Sequence, residues 1–196
     1  MGGDLRARGT WAELETGGGI AGQTMMATPF GMRSAQDLRI GDPLRASSGG
    51  PVCVVSIAAA PSQGWIRLPP LSLGNRQAIV IGQGQSLLIE SAYAQTITGS
   101  TAVVVPALAL RFWRGILPCA APDVALRITL SRPALIVGSA GLLFAADGPA
   151  NAPLGTGDLP PVPSLSFESA RQLVACLIAY EAGAMLRGLR PQAAVF

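Results

Sequence analysis

The side chains able to do covalent or metal chemistry in this chain are few, and their spacing limits them. Three cysteines, Cys53, Cys119 and Cys176, stand far apart. No CxxC pair occurs, so neither a zinc knuckle nor a thioredoxin-type dithiol is indicated. Each has apolar neighbours: Val52 and Val54, Pro118 and Ala120, Ala175 and Leu177. They read as buried reduced thiols acting as small hydrophobes, which points to a reducing compartment. All 14 basic residues are arginine, with no lysine and no histidine. That removes a Ser-His-Asp triad, a Cys-His dyad, a His-ligated metal, a Schiff-base lysine and a Walker A lysine. A histidine switch near neutral pH is excluded as well. No metal site and no cofactor is expected.

The remaining charge is sparse. The net charge is +3, and the arginines are scattered singly apart from Arg6/Arg8 and Arg187/Arg190. No basic run with interleaved aromatics occurs, so no nucleic-acid partner is expected. The 196 residues are 49% hydrophobic and 13% charged, which fits one folded domain, or one domain plus a tail, and not a disordered chain. Met1 to Glu15 lacks the apolar core of a signal peptide. The apolar stretch Ala134 to Ala146 falls short of the ~20 residues of a membrane helix, so no transmembrane segment is expected. Cytoplasmic residence is the expectation, with leaderless export left open.

The elements that must position any site divide the chain in four. Residues 1–18 read as a flexible arm. From 19 to 148, short β-rich runs alternate with turn signals: Val52 to Ile57, Ala78 to Ile81, Leu87 to Ile89, Ala102 to Val105, Leu126 to Leu130 and Leu135 to Val137. Pro29–Phe30–Gly31, Gly41–Asp42–Pro43, Gly49–Gly50–Pro51 and Gly82–Gln83–Gly84 separate them, so the body is all β. Asp37 to Arg39 offers one short helical turn. Residues 149–165 form a Pro-rich linker. Residues 166–190 hold a helix, about Phe167 to Arg187, with Ser166 as cap, Glu168 in the first turn and Gly188–Pro191 as stop. Its apolar stripe through Ala170, Val174, Leu177 and Ala184 packs on the β body or mediates a contact with a protein partner or a second copy. Trp11, Trp65 and Trp113 read as core or edge anchors.

Within the β body one run is distinctive: Ile20-Ala-Gly-Gln-Thr-Met-Met-Ala-Thr-Pro-Phe-Gly-Met-Arg-Ser-Ala-Gln-Asp-Leu-Arg-Ile-Gly-Asp42. It resembles the opening of a Hint (hedgehog/intein) domain of the bacterial type. Thr24, Thr28–Pro29, Gly31, Asp37–Leu38 and Gly41–Asp42 fall in step with that family. Trp65 to Leu68, Ile79 to Leu88, Val103 to Leu110 and Arg132 to Val137 follow where the family has its later boxes. The resemblance covers about residues 19–148. It implies a mainly β, pseudo-two-fold horseshoe of short strands, here with a C-terminal α-helix added.

The resemblance also implies self-processing. In the family, a first-position cysteine attacks the preceding carbonyl, a boxed histidine protonates the departing amide, and the ester is then resolved. Carried onto this chain, the cysteine position falls on Gly19, the box histidine on Gly84 and a later strand histidine on Pro133. An N-to-S shift needs a nucleophilic sulfur or oxygen directly after the scissile bond, and a general acid in reach. Both are gone. Thr16 or Thr24 supplies a hydroxyl, and Asp37, Asp42 or Tyr93 an acid, but no base that would activate a threonine is evident. Thr24 and Thr28 read as strand residues, and Asp37 and Asp42 as turn and cap residues. Convergence of Gly19, Gly84 and Pro133 would leave an apolar hollow lined by small residues. The expectation is a Hint-like scaffold or binding module without autoprocessing; the alternative is a self-cleaving domain with a non-standard nucleophile.

Overall fold

Apolar, β-rich runs between Gly and Pro turn signals set most of the strands. The computed structural model describes residues 18–61, 64–138, 141–147 and 162–186. Residues 1–17 of the expected 1–18 arm (with Trp11 and Thr16), most of the linker, and Arg187, Gly188 and Arg190 lie outside the described residues. In chain order the strands are β1 (Ile20–Ala21), β2 (Met25–Thr28), β3 (Gly31–Ser34), β4 (Pro43–Arg45), β5 (Pro51–Ala59), β6 (Trp65–Leu68), β7 (Ile79–Gly82), β8 (Ser86–Glu90), β9 (Ala102–Pro106), β10 (Leu117–Cys119), β11 (Ala125–Leu130), β12 (Ala134–Val137) and β13 (Leu143–Ala146). Helix α1 (Ala92–Thr98) lies between β8 and β9, and α2 (Phe167–Leu186) follows the strands. The architecture is mainly β with one long C-terminal helix, as expected.

Three antiparallel sheets result. Seven strands run in the order β10-β6-β7-β1-β11-β5-β4, four in the order β12-β13-β8-β9, and β2 pairs with β3. β5 shows the period-two rule: Val52 and Val54 are buried, while Cys53 and Val55 face out. Cys53 is therefore exposed, which corrects the expectation of three buried thiols; Cys119 and Cys176 are half-buried. The apolar neighbours of Cys53 bury themselves on one face and leave the thiol on the other. β8 and β9 differ from β5, for Leu87 to Ile89 and Val103 to Val105 are all buried. Such continuous apolar runs belong to a sheet covered on both sides.

The helices provide part of that cover. Ala170, Leu173, Val174 and Leu177 of α2 join the same core as Ile89, Val103 and Leu110. The stripe expected from helical spacing thus packs on the chain's own β body. The expected linker is corrected at its end. Pro163 O accepts from Val104 N at 2.8 Å, and Leu165 N donates to Val104 O at 2.9 Å. Residues 163–165 therefore add a short parallel segment to the β9 edge. Helix α1 was not anticipated. Ser91 Oγ accepts from Tyr93 N at 3.1 Å, and Gly99 ends the helix with φ 76°. The expected helical turn falls earlier than Asp37–Arg39, as a 3-10 turn over Ala35–Asp37. Trp65 and Trp113 are buried anchors.

Candidate functional site

Gly19 precedes β1, a strand in the interior of the seven-stranded sheet between β7 and β11. Its carbonyl accepts from Gly82 N at 2.8 Å. A Cβ at position 19 would stand 2.6 Å from Ala60 Cβ and 3.3 Å from the Trp65 ring. The first distance is below any real Cβ contact, so a side chain here must push Ala60 away. The indole is itself fixed, with Nε1 donating to Pro61 O at 3.0 Å. A side chain at position 19 therefore enters only if Ala60 shifts.

The peptide before Gly19 lies beside Gly84, where the resemblance puts the box histidine. A Cβ on Gly18 would be 3.7 Å from Gly84 O and 3.8 Å from Gln85 Oε1. The Gly18 carbonyl, the one a nucleophile at position 19 would attack, accepts a long 3.4 Å bond from Arg127 Nε. Arginine polarises but does not surrender its proton. Gln85 Nε2 donates to Ala145 O at 2.7 Å, and an amide is no general acid either. Arg127 and Gln85 were not singled out from sequence. Arg127 is remote in sequence from Gly18, and no local pattern signals the contact.

Pro133 shares that end of the molecule without closing a site. Pairing of Ala134 with Ala146, and of Phe144 with Leu87, puts Pro133 and Gly84 at the same end of the four-stranded sheet with β13 between them. Two strand spacings separate them by about 10 Å. The expected small-residue hollow is corrected accordingly. The cleft at Gly84, about 510 Å³, is lined instead by Gln83, Ser86, Leu108, the segment Ser164 to Ser166 and the first residues of α2, Phe167 and Glu168. Ala60 and Trp65 occupy the space at Gly19.

Thr24 belongs to a different cleft of about 520 Å³, lined by Gln23, Gln36, Gln77 and Asp123 among others. Its backbone anchors the turn, with Thr24 N donating to Ala21 O and Thr24 O accepting from Ala35 N, both at 2.9 Å. Asp37 accepts from Ser34 Oγ at the 3-10 turn. Asp42 Oδ2 accepts from Arg39 N at 2.8 Å and pairs with Arg33 Nη1 at 2.7 Å. The backbone bond from Arg39 leads in holding the Asp42 carboxyl below its usual range, aided by the Arg33 guanidinium against some desolvation. A carboxylate so held is a turn cap and a poor acid. Tyr93 stands on α1 with its ring centroid 5.7 Å from that of Tyr180. Among the described residues, no hydrogen bond joins the Thr24 hydroxyl to a carboxylate. Thr28 ends β2, where its hydroxyl accepts from Phe30 N and donates to Gly31 O. Thr16 lies outside the described residues.

No family model matches the chain, and no curated protein matches it. Solved structures do. The chain is similar to the Msm DnaB1 intein splicing domain, solved with bound zinc, at 16% identity over 65% of this chain and 99% of that one, with a TM-score of 0.43. A gp41-1 intein variant matches at 17% identity over 67% of this chain and 100% of that one, TM-score 0.43. The MchDnaB-1 intein matches at 17% identity over 65% and 99%, TM-score 0.41. Over about two thirds of its length the chain is similar to intein splicing domains.

Proposed function

We propose that this chain is a Hint-like domain without self-processing activity that acts through its surface as a scaffold or binding module. The observation that carries the reading is the packing at position 19, where a Cβ would sit 2.6 Å from Ala60 Cβ. The chemistry needs sulfur or oxygen at that point, and the fold there has closed over the space. The loss is of mechanism, since the groups beside the Gly18 carbonyl, Arg127 and Gln85, are a guanidinium and an amide, and neither serves as a general acid. Ile178 and Tyr180 on α2, with Tyr93 and Ile97 on α1, remain exposed; through them a partner protein or a second copy would attach. The test is intact mass over time for the full chain carrying a short N-terminal fusion, with and without thiol or hydroxylamine. An unchanged mass is expected. Scission between Gly18 and Gly19 would establish the self-cleaving alternative.

A further inference from the structure

Two loops near the β6–β10 edge of the seven-stranded sheet each hold a bulky residue in left-handed backbone. Leu71 has φ 65° and Phe112 has φ 72°. Both are apolar and both face solvent, at 74% and 61% exposure. A side chain raises the free energy of this conformation, and glycine avoids the penalty. Strained backbone persists where its surroundings over-determine it, and it concentrates at working surfaces.

Both loops are over-determined. Asn75 is fully buried. Its Nδ2 donates to Pro69 O at 2.8 Å and Gln77 O at 2.7 Å, while Oδ1 accepts from Leu73 N at 3.0 Å and Ser72 Oγ at 3.2 Å. In the second loop Phe112 N donates to Ile116 O at 2.8 Å. Arg114 Nη1 ties the loops together by donating to Ser72 O at 3.0 Å. Leu117, half-exposed, follows that loop and pairs with Arg67 across β10 and β6.

The exposed charges beside these tips in sequence are arginines. Arg67 and Arg76 are exposed, and the Arg111 guanidinium stacks 4.6 Å over the Phe112 ring. Among the described residues the Arg111 Nε is buried and has no hydrogen-bond partner. The acid facing the loops, Glu181, is committed to Arg114 and Trp113. Between Asp42 and Asp123 the sequence has one carboxylate, Glu90, which lies at the end of β8 in the other sheet.

We propose that the rigid loop pair presenting Leu71 and Phe112, rimmed by Arg67, Arg76 and Arg111, is a docking surface for an anionic lipid bilayer. Apolar tips enter the acyl boundary while guanidinium groups meet lipid phosphates. A nucleic acid would give Phe112 a base to stack on but leave Leu71 and Leu117 without apolar partners. The test is flotation of the full chain with pure phosphatidylcholine vesicles and with vesicles containing phosphatidylglycerol. Flotation with the anionic vesicles alone is expected, weakening toward about 0.5 M salt as screening sets in. The L71G/F112G variant removes both tips and relieves the backbone. It should melt no lower than the parent and lose about tenfold or more of its partitioning. R76Q/R111Q should weaken binding without changing the melt. No flotation of the parent at low salt, or undiminished flotation of L71G/F112G, overturns the proposal. So does self-association that depends on these two residues without vesicle binding, since a second copy would then own the surface.

Discussion

At residue scale, position 19, where the sequence resemblance puts the nucleophile, is a question of volume as much as of chemistry. Gly19→Cys would place Cβ where Ala60 Cβ stands 2.6 Å away, and overpacking of this kind costs about 1–3 kcal/mol. The expected outcome is a matching fall in stability on urea denaturation, with no scission. Adding Ala60→Gly should recover most of the lost stability and still give no scission, because among the described residues no carboxyl is bonded at the Gly18 carbonyl. Scission in the double variant would show that the polar shell remains competent. Asp42 gives a pH-dependent prediction. Its folded pKa lies below the unfolded value, so its contribution is full above the unfolded pKa and is lost as pH falls through the folded one. Thermal melts should therefore decline below about pH 4 in the parent, and Asp42→Asn should flatten that part of the decline. Local turn chemistry made the Asp42 turn legible in the sequence, and motif order drew attention to Gly19 and Gly84. It did not show Ala60 and Trp65 filling the gap or Arg127 reaching Gly18. Those contacts are made across strands distant in sequence, and no local spacing encodes them.

At the scale of elements, strand positions were legible wherever apolar runs met Gly or Pro punctuation. Exposure within them was legible only where the period was followed residue by residue, as Cys53 on β5 demonstrates. Helix α1 escaped notice because Thr96, Ile97 and Thr98 favour strands, while Ser91 and Gly99 carry the start and stop signals. The end of the linker escaped because prolines mask its pairing. Pro163 contributes only its carbonyl to Val104, which an edge segment permits. α2 is fastened by a network that periodicity alone does not show. Glu181 accepts from Trp113 Nε1 at 3.1 Å and from Arg114 at 2.9 and 2.6 Å. Glu181→Ala leaves a largely buried guanidinium and an indole donor without their partner. It should lower stability by about 2–3 kcal/mol and speed amide exchange along α2, read by hydrogen-exchange mass spectrometry. Unchanged exchange in α2 would mean that apolar packing alone holds the helix.

At the scale of the whole molecule, α2 and the segment before it complete the β body. Leu173, Val174 and Leu177 belong to one continuous apolar core with Val103, Val105 and Leu110. The 163–165 segment satisfies the Val104 backbone at an otherwise open edge. A chain ended after Asp147 would lose both at once. It would bare the outer face of β9 and leave an unpaired apolar edge, the combination that invites aggregation. The expected outcome is loss of the cooperative thermal transition, with dye binding to exposed apolar surface and concentration-dependent precipitation. A substitution confined to the helix separates the two contributions. Leu173→Ala keeps the 163–165 pairing and removes one fully buried side chain, so it should retain a sharp melt at a cost of about 2–5 kcal/mol. If the shortened chain instead melts sharply near the full chain's temperature, the β body carries its own core, and α2 is an appendage available for partners. If it loses cooperativity while Leu173→Ala keeps it, the helix is a structural wall of the fold. Any binding role for α2 would then be confined to its outward side, where Ile178 and Tyr180 stand.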